Sequence, residues 1–168
     1  SFSDNVTDKC NSWILLRKGL IVILSNDKNL KIKLATSLAS KHGYEVILEN
    51  IPYSENQILC ASFDWWIKHL HLCKIPDQII IPLLPIPNMS EPTINLTVLH
   101  ETQNSKDWFR NYLYPETYQK LDQAIAPLRR NSGKLIVFDG RVNNRKWGRE
   151  LIQLIQPSVL ITNMIPFC

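Results

Sequence analysis

The chain has 168 residues, of which 45% are hydrophobic and 20% charged. That length and composition suit one globular domain and exclude a disordered or low-complexity protein. No apolar run approaches the ~20 residues of a membrane span, and the polar start of the chain lacks the apolar block of a signal peptide. We predict a single domain over 1–168, with an N-terminal extension over 1–18 and a core over 19–163. We expect it in the cytoplasm, with no membrane partner.

The cysteine pattern argues against a metal centre. The four cysteines, at positions 10, 60, 73 and 168, are far apart and form no Cys-x-x-Cys pair. Structural metal sites need closely spaced ligands, so we predict none in this chain. Cys60 lies in an apolar run and is predicted to be a small buried side chain in a reducing compartment.

The formal net charge is only +4, but the basic residues are unevenly distributed. One short stretch contains Arg129, Arg130, Lys134, Arg141, Arg145, Lys146 and Arg149. Asp139 is the only acid in that stretch. Such a cluster is a candidate phosphate-contacting face, and a solvated surface is the alternative.

Apolar runs alternate with amphipathic stretches along the chain, which is typical of a parallel sheet with crossover helices. Strands are predicted at 19–24, 44–48, 57–61, 78–84, 134–138 and 158–162. Helices are predicted from the capping residues 25–27 to Gly43, around 65–70, and at 91–99, 107–113, 115–130 and 147–155. The predicted fold class is α/β, a mostly parallel sheet of about five or six strands flanked by helices on both faces.

Two local features refine this prediction. Pro82 lacks an N–H, so it marks the end of the strand at 78–84 or places that strand near an edge of the sheet. Working residues of open α/β sheets lie on loops beyond the carboxyl ends of the strands. The loops expected to gather there are 25–27, 62–64, 85–88 and 139–144.

The sequence contains no complete catalytic signature. The Gly133-Lys134 pair lacks the earlier glycine and the following Ser or Thr of a P-loop, and it precedes a strand instead of following one. His69 and His71 have no partner ligand nearby and are predicted to be ordinary helix-surface residues. Adjacent Trp65 and Trp66 cannot both face inward from one helix. Stacking on unpaired bases and burial in the core stay open as alternatives for the pair.

Three segments, in order, carry a resemblance to a known family. The first is Pro76–Pro87, closed by Ser90-Glu91-Pro92. The second runs from Tyr112 through Gln123–Arg130. The third is Gly133–Arg141, followed by Lys146-Trp147-Gly148. With the strand at 19–25 before them, they resemble the C-terminal motor domain of the DinG/XPD group of superfamily 2 DNA helicases.

This resemblance implies a RecA-like fold and the second of two motor domains, which bind ATP and Mg²⁺ between them. The P-loop belongs to the first domain, so the isolated chain is expected to be inactive. It implies catalytic roles at the nucleotide cleft for Arg130, Arg129 and Gln123, and a nucleotide-cleft or loop-ordering role for Asp139 and Arg141. The implied partners are an N-terminal motor domain and single-stranded DNA, contacted by Lys134, Arg145, Lys146, Arg149 and Trp66.

The sequence also departs from the family's motifs. Ala126 and Pro127 stand where the motif Gln-x-x-Gly-Arg-x-x-Arg has its glycine and first arginine, and proline cannot supply an arginine's charge. Ser62–Lys68 lacks the family's Glu-Gly pair. One alternative is therefore a non-catalytic nucleic-acid-binding or scaffolding domain derived from the same fold. Another is an unrelated small α/β enzyme, because fold does not fix function.

Overall fold

A computed structural model of the chain describes residues 4, 5, 7, 8, 10, 19–41, 45–86, 114–130, 133–139 and the backbone of 160–163. Its strands are β1 (Ile21–Leu24), β2 (Glu45–Leu48), β3 (Gln57–Ala61), β4 (Gln78–Ile81), β5 (Lys134–Val137) and β6 (Leu160–Asn163). Its helices are α1 (Lys28–Lys41), α2 (Phe63–His69), which continues into a 3₁₀ turn (Leu70–Leu72), and α3 (Tyr114–Arg129).

The strands form one six-stranded sheet in the order β2-β3-β1-β4-β5-β6, and every neighbouring pair is parallel. β1 lies between β3 and β4, with Val22 opposite Leu59 on one side and Ile79 on the other. Parallel neighbours need crossover connections, and short apolar strands buried on both faces suit such a sheet. The predicted α/β, RecA-like fold class is confirmed.

The two faces of the sheet carry separate apolar clusters, because successive side chains of a strand point to opposite faces. One cluster combines Val22 and Leu24 with the buried side chains of α2 and α3, among them Trp66 and Leu121. The other combines Ile21, Ile23, Ile58, Cys60, Ile80 and Ile136 with the buried side of α1. Cys10 is also fully buried in this second cluster, so the N-terminal segment contributes to the core.

Helix α1 begins where the sequence supplies a cap. The carboxylate of Asp27 accepts a hydrogen bond from the Leu30 N–H at 2.9 Å, and the Ser25 hydroxyl accepts one from the Asp27 N–H. An Asp at this position satisfies one of the N–H groups that the first turn leaves without a partner. The predicted spacing of Leu30, Leu34 and Leu38 is confirmed, since all three are buried against the sheet.

The amino ends of the central strands are joined by a row of hydrogen bonds that we call the amino-edge seam. Asn56 accepts from the Gly19 N–H at 3.0 Å, and the Asp77 carboxylate accepts from the Leu20 N–H at 2.9 Å. The Asp77 carbonyl accepts from the Lys134 N–H at 3.1 Å. The seam therefore runs across the starts of β3, β1, β4 and β5.

The structure decides between the two alternatives predicted for Pro82, the end of the strand or an edge position. β4 pairs with β1 and β5, so it is an interior strand and not an edge strand. Pro82 is tolerated because the strand ends at Ile81, and the carbonyl of Ile81 accepts from the Phe138 N–H. The predicted helices at 91–99, 107–113 and 147–155 lie outside the described residues.

We expect Gly19→Ala to lower the free energy of unfolding by roughly 2–3 kcal/mol, the range for a side chain forced into a left-handed backbone with a clash. Gly19 has a φ of +96°, and a Cβ atom there would lie 2.0 Å from Oδ2 of Asp77. Moving that carboxylate would break its bond to the Leu20 N–H. Urea unfolding measures the effect, with the exposed Asn29→Ala as control. A cost equal to the control's would contradict the close packing of the seam.

Candidate functional site

The end of α3 carries the residues for which the resemblance implies a role at the nucleotide. Gln123, Arg129 and Arg130 are all exposed. Arg129 is the last residue of α3, and Arg130 follows in a turn whose N–H donates to the Pro127 carbonyl at 3.3 Å. The guanidinium of Arg129 forms an ion pair with the carboxylate of Asp122, seven residues earlier on the same helix.

Pro127 lies inside α3 and is buried. Because proline has no N–H, it cannot make the usual helical hydrogen bond to the carbonyl of Gln123. On the neighbouring residue, the Ala124 carbonyl accepts a 2.7 Å hydrogen bond from the Trp66 indole. Pro127 is thus a packed residue of the helix interior, and it presents no hydrogen-bond donor or charge towards solvent.

The structure places Asp139 at the opposite edge of the sheet from Arg129 and Arg130. α3 leads into the amino end of β5, whereas Asp139 follows the carboxyl end of that strand. The five residue steps from Lys134 to Asp139 span roughly 17 Å of extended chain. The two predicted groups, the arginines at the end of α3 and Asp139, are therefore not brought together within this domain.

Asp139 is 1% exposed, and its carboxylate accepts a hydrogen bond from the Leu84 N–H at 3.0 Å. This bond ties the end of β5 to the loop that follows β4. A buried carboxylate bound to a backbone N–H orders a loop more readily than it contacts a ligand in solvent. Of the two functions allowed for Asp139 from sequence, this geometry fits loop ordering.

A second cluster at the carboxyl edge was not predicted from sequence. Glu49 has a φ of 46°, and its carboxylate accepts from the Lys31 ammonium at 2.6 Å and from the Ser62 N–H at 3.0 Å. The hydrogen bond from Lys31 is the main cause that lowers the pKa of Glu49, with burial acting in the opposite direction. No local sequence pattern predicts this cluster, because Glu49, Lys31 and Ser62 lie in or next to three different elements.

The start of α2 is held from two sides. Asn26 accepts from the Phe63 N–H at 3.0 Å, and the Ser62 hydroxyl caps the helix by accepting from the Trp65 N–H at 3.1 Å. The Ser25 N–H in turn donates to the Ala61 carbonyl. The predicted loops 25–27 and 62–64 therefore do meet at the carboxyl edge. Four of their backbone N–H groups are bonded to side chains or carbonyls of the domain itself: those of Ser25, Asp27, Ser62 and Phe63.

The prediction that Trp66 binds nucleic acid is corrected by its position. Its indole is fully buried between the sheet and α3, and its N–H is bonded to the Ala124 carbonyl. A base cannot stack on a ring without an open face. The partly exposed member of the pair is Trp65, whose ring is stacked on that of His69 with centroids 4.3 Å apart.

The remaining predicted contacts are only partly described. Lys134 begins β5 at the amino edge and is half-buried. Arg141, Arg145, Lys146 and Arg149 lie outside the described residues, so their predicted roles stay predictions. Cys60 is fully buried, as predicted, and burial raises the pKa of its thiol to about 12.

Among the residues that the structure describes, no group of three or more His, Cys, Asp or Glu side chains is arranged to hold a metal ion. No helix within the same residues combines the length and the apolar character that crossing a bilayer requires.

The parallel sheet with helices on both faces defines a RecA-like α/β domain. The family model of the helicase C-terminal domain matches residues 75–158, which is half of the chain. This chain therefore belongs to the helicase C-terminal domain family. The three motif segments quoted above all fall within the match, so the resemblance to the C-terminal domain of DinG/XPD-like helicases is confirmed. A comparison with curated proteins finds no match.

We expect Glu49→Gln to lower the free energy of unfolding at pH 7 by about 1 kcal/mol, the usual worth of one hydrogen bond. Because the folded pKa of Glu49 is depressed below its ordinary value of 4.5, its contribution is complete above that value. It is lost as the pH falls through the folded pKa. Urea unfolding from pH 7 to pH 3 should therefore show a shallower loss of stability for the variant than for the wild type.

The control for this experiment is Glu55→Gln, because Glu55 is exposed. It should keep the wild-type pH profile. Parallel profiles for wild type and Glu49→Gln would show that the contact with Lys31 does not stabilise the fold.

Proposed function

We propose that this domain is the C-terminal motor half of a DinG-like ATP-dependent DNA helicase. It completes an ATP cleft whose P-loop is supplied by a first motor domain, and it contacts single-stranded DNA. Alone it does not hydrolyse ATP. The observation that supports this most strongly is the ordered set of motif segments inside the family match, carried on a RecA-like sheet with an exposed basic end of α3.

The groups at the end of α3 suit a phosphate ligand. Arg130 is an exposed guanidinium, and its fork of N–H donors matches phosphate oxygens. Gln123 is exposed on the same helix and adds an amide. ATP and Mg²⁺ enter this proposal only together with the first motor domain, which we expect to provide the carboxylates that hold the metal. In the cytoplasm, that domain and single-stranded DNA would be the partners.

A second candidate is a non-catalytic nucleic-acid-binding or scaffolding domain derived from the helicase fold. Buried Pro127 favours it, because it stands at the position of the motif's first arginine and offers no charge. The ion pair between Arg129 and Asp122 also favours this second candidate, because Arg129 is already engaged by a carboxylate. Of the two arginines at this helix end, only Arg130 has no ion pair among the described residues. An arginine that stabilises the transferred phosphoryl group contributes about 10³–10⁵ in rate, so losing it would abolish useful turnover.

The first test is the binding of single-stranded DNA, followed by fluorescence anisotropy over a salt series. We expect Arg129→Ala/Arg130→Ala to weaken binding about tenfold at low salt. The slope of log K against log salt should become shallower by about 1.4, because each lost phosphate contact on a single strand removes ~0.7. The physical reason is that fewer counterions are released when two guanidinium groups are missing.

The matched control is Lys28→Ala/Lys41→Ala, which removes the same charge from the two ends of α1, a helix on the other face of the sheet. It should leave both the affinity and the salt slope nearly unchanged. If both double variants lost the same affinity for DNA, net charge alone would explain the effect. The end of α3 would then not be a DNA contact.

The two candidates differ in ATP hydrolysis. In a protein that pairs this domain with a P-loop-containing motor domain, the leading proposal predicts that Arg130→Ala lowers kcat for ATP by about 10³, with little change in KM. Lys28→Ala is the control. Steady-state ATPase assays with single-stranded DNA present measure both. A kcat that does not change would favour the non-catalytic candidate.

A further inference from the structure

We propose that Asp122 restrains phosphate binding at the end of α3, because it holds the Arg129 guanidinium in an ion pair that a phosphate must displace. This inference rests on the proposed function, since it concerns the same arginines. It adds Asp122 to that site as a regulating residue. The resemblance to the family implies no role for this position.

The geometry of α3 brings the two side chains together. Residues seven apart on a helix differ by about 20° in direction and by about 10.5 Å along the axis, so they share one face two turns apart. Long helical side chains lean towards the N-terminus. Arg129, at the last position of α3, therefore reaches back along the helix to Oδ1 of Asp122.

The exposure of the pair makes it accessible and displaceable. The side chain of Arg129 is 29% exposed and that of Asp122 is 37% exposed. An ion pair in this setting is weak, because solvent screens it and two flexible side chains are ordered. A ligand can break it, but only by competing with a carboxylate that is already in place.

The ion pair lowers the positive charge that the end of α3 presents to a phosphate. Arg129 and Arg130 are adjacent and would present two positive charges to a phosphate. Asp122 occupies one of them by holding the Arg129 guanidinium. A ligand with several phosphates can offset that penalty, whereas a single weak contact is discouraged, so the ion pair favours polyanions over isolated anions.

The other acids described on α2 and α3 do not act on Arg129 in this way. Asp64 is paired with Lys120 at 3.1 Å. Glu116, in the first turn of α3, is thirteen residues from Arg129, or about 20 Å along the helix axis. That distance is about twice the screening length at 0.1 M salt. Glu116 therefore supplies a matched control on the same helix.

The experiment compares the wild type with Asp122→Asn, Glu116→Gln, Arg129→Ala and the double variant Asp122→Asn/Arg129→Ala. One arm measures anisotropy with a fluorescein-labelled oligothymidylate over a salt series, and a second uses a fluorescent ATP analogue. We expect Asp122→Asn to tighten binding about threefold, the factor that corresponds to an exposed ion pair. Glu116→Gln should match the wild type. Thermal unfolding of each variant checks that the fold is kept.

The gain must depend on Arg129, so the double variant should bind no better than Arg129→Ala alone. Tightening with the oligonucleotide places Arg129 on the DNA path, and tightening with the nucleotide alone places it at the ATP cleft. Either result supports the restraint. No tightening in both arms, or an equal gain in Glu116→Gln, overturns it.

The failure of this inference can be told from the failure of the proposed function. If Arg129→Ala weakens binding while Asp122→Asn changes nothing, the restraint is wrong and the phosphate site stands. If wild type and all variants fail to bind either ligand at low salt, both the site and its restraint are overturned.

Discussion

Parallel pairing of β1 with β3 on one side and β4 on the other is the constraint on which the rest of the domain depends. Both faces and both edges of β1 are covered by protein, which is typical of an interior strand of a parallel sheet. α1 covers one face, while α2 and α3 cover the other. The same pairing fixes two edges with different chemistry, because all strands described in the sheet start at one edge and finish at the other.

The amino edge combines a rigid seam with the basic end of α3. The side-chain oxygens of Asn56 and Asp77 accept hydrogen bonds from backbone N–H groups, and these bonds hold the starts of β1 and β4 in place. The chain passes from the end of α3 to the start of β5 beside this seam. The Lys134 N–H takes part in the seam by donating to the Asp77 carbonyl. The guanidinium groups of Arg129 and Arg130 therefore project from a well-supported part of the domain. Groups held by a rigid element keep their geometry better than groups on a loop.

The carboxyl edge has the opposite character, since its polar groups are mostly satisfied internally. Asn26, Glu49 and Ser62 serve the first turn of α2 and the residue before it. Asp139 serves the loop after β4. Buried or half-buried acceptors that already hold backbone N–H groups add to the stability of these loops, because an unmade bond there would cost free energy. Within the described residues, this edge is ordered by its own side chains.

By itself, the sequence determined the elements whose signals are local. The run of β-branched residues in β1, the spacing of Leu30, Leu34 and Leu38, and the cap at Asp27 predicted their structures, because each depends on neighbours in the chain. The motif order predicted the family. Only the tertiary structure decided that Trp66 is the buried member of the Trp65–Trp66 pair, that β4 lies in the interior of the sheet, and that Glu49 meets Lys31. Those outcomes depend on contacts between residues far apart in sequence, and such contacts follow from the order of the strands, which local patterns do not encode.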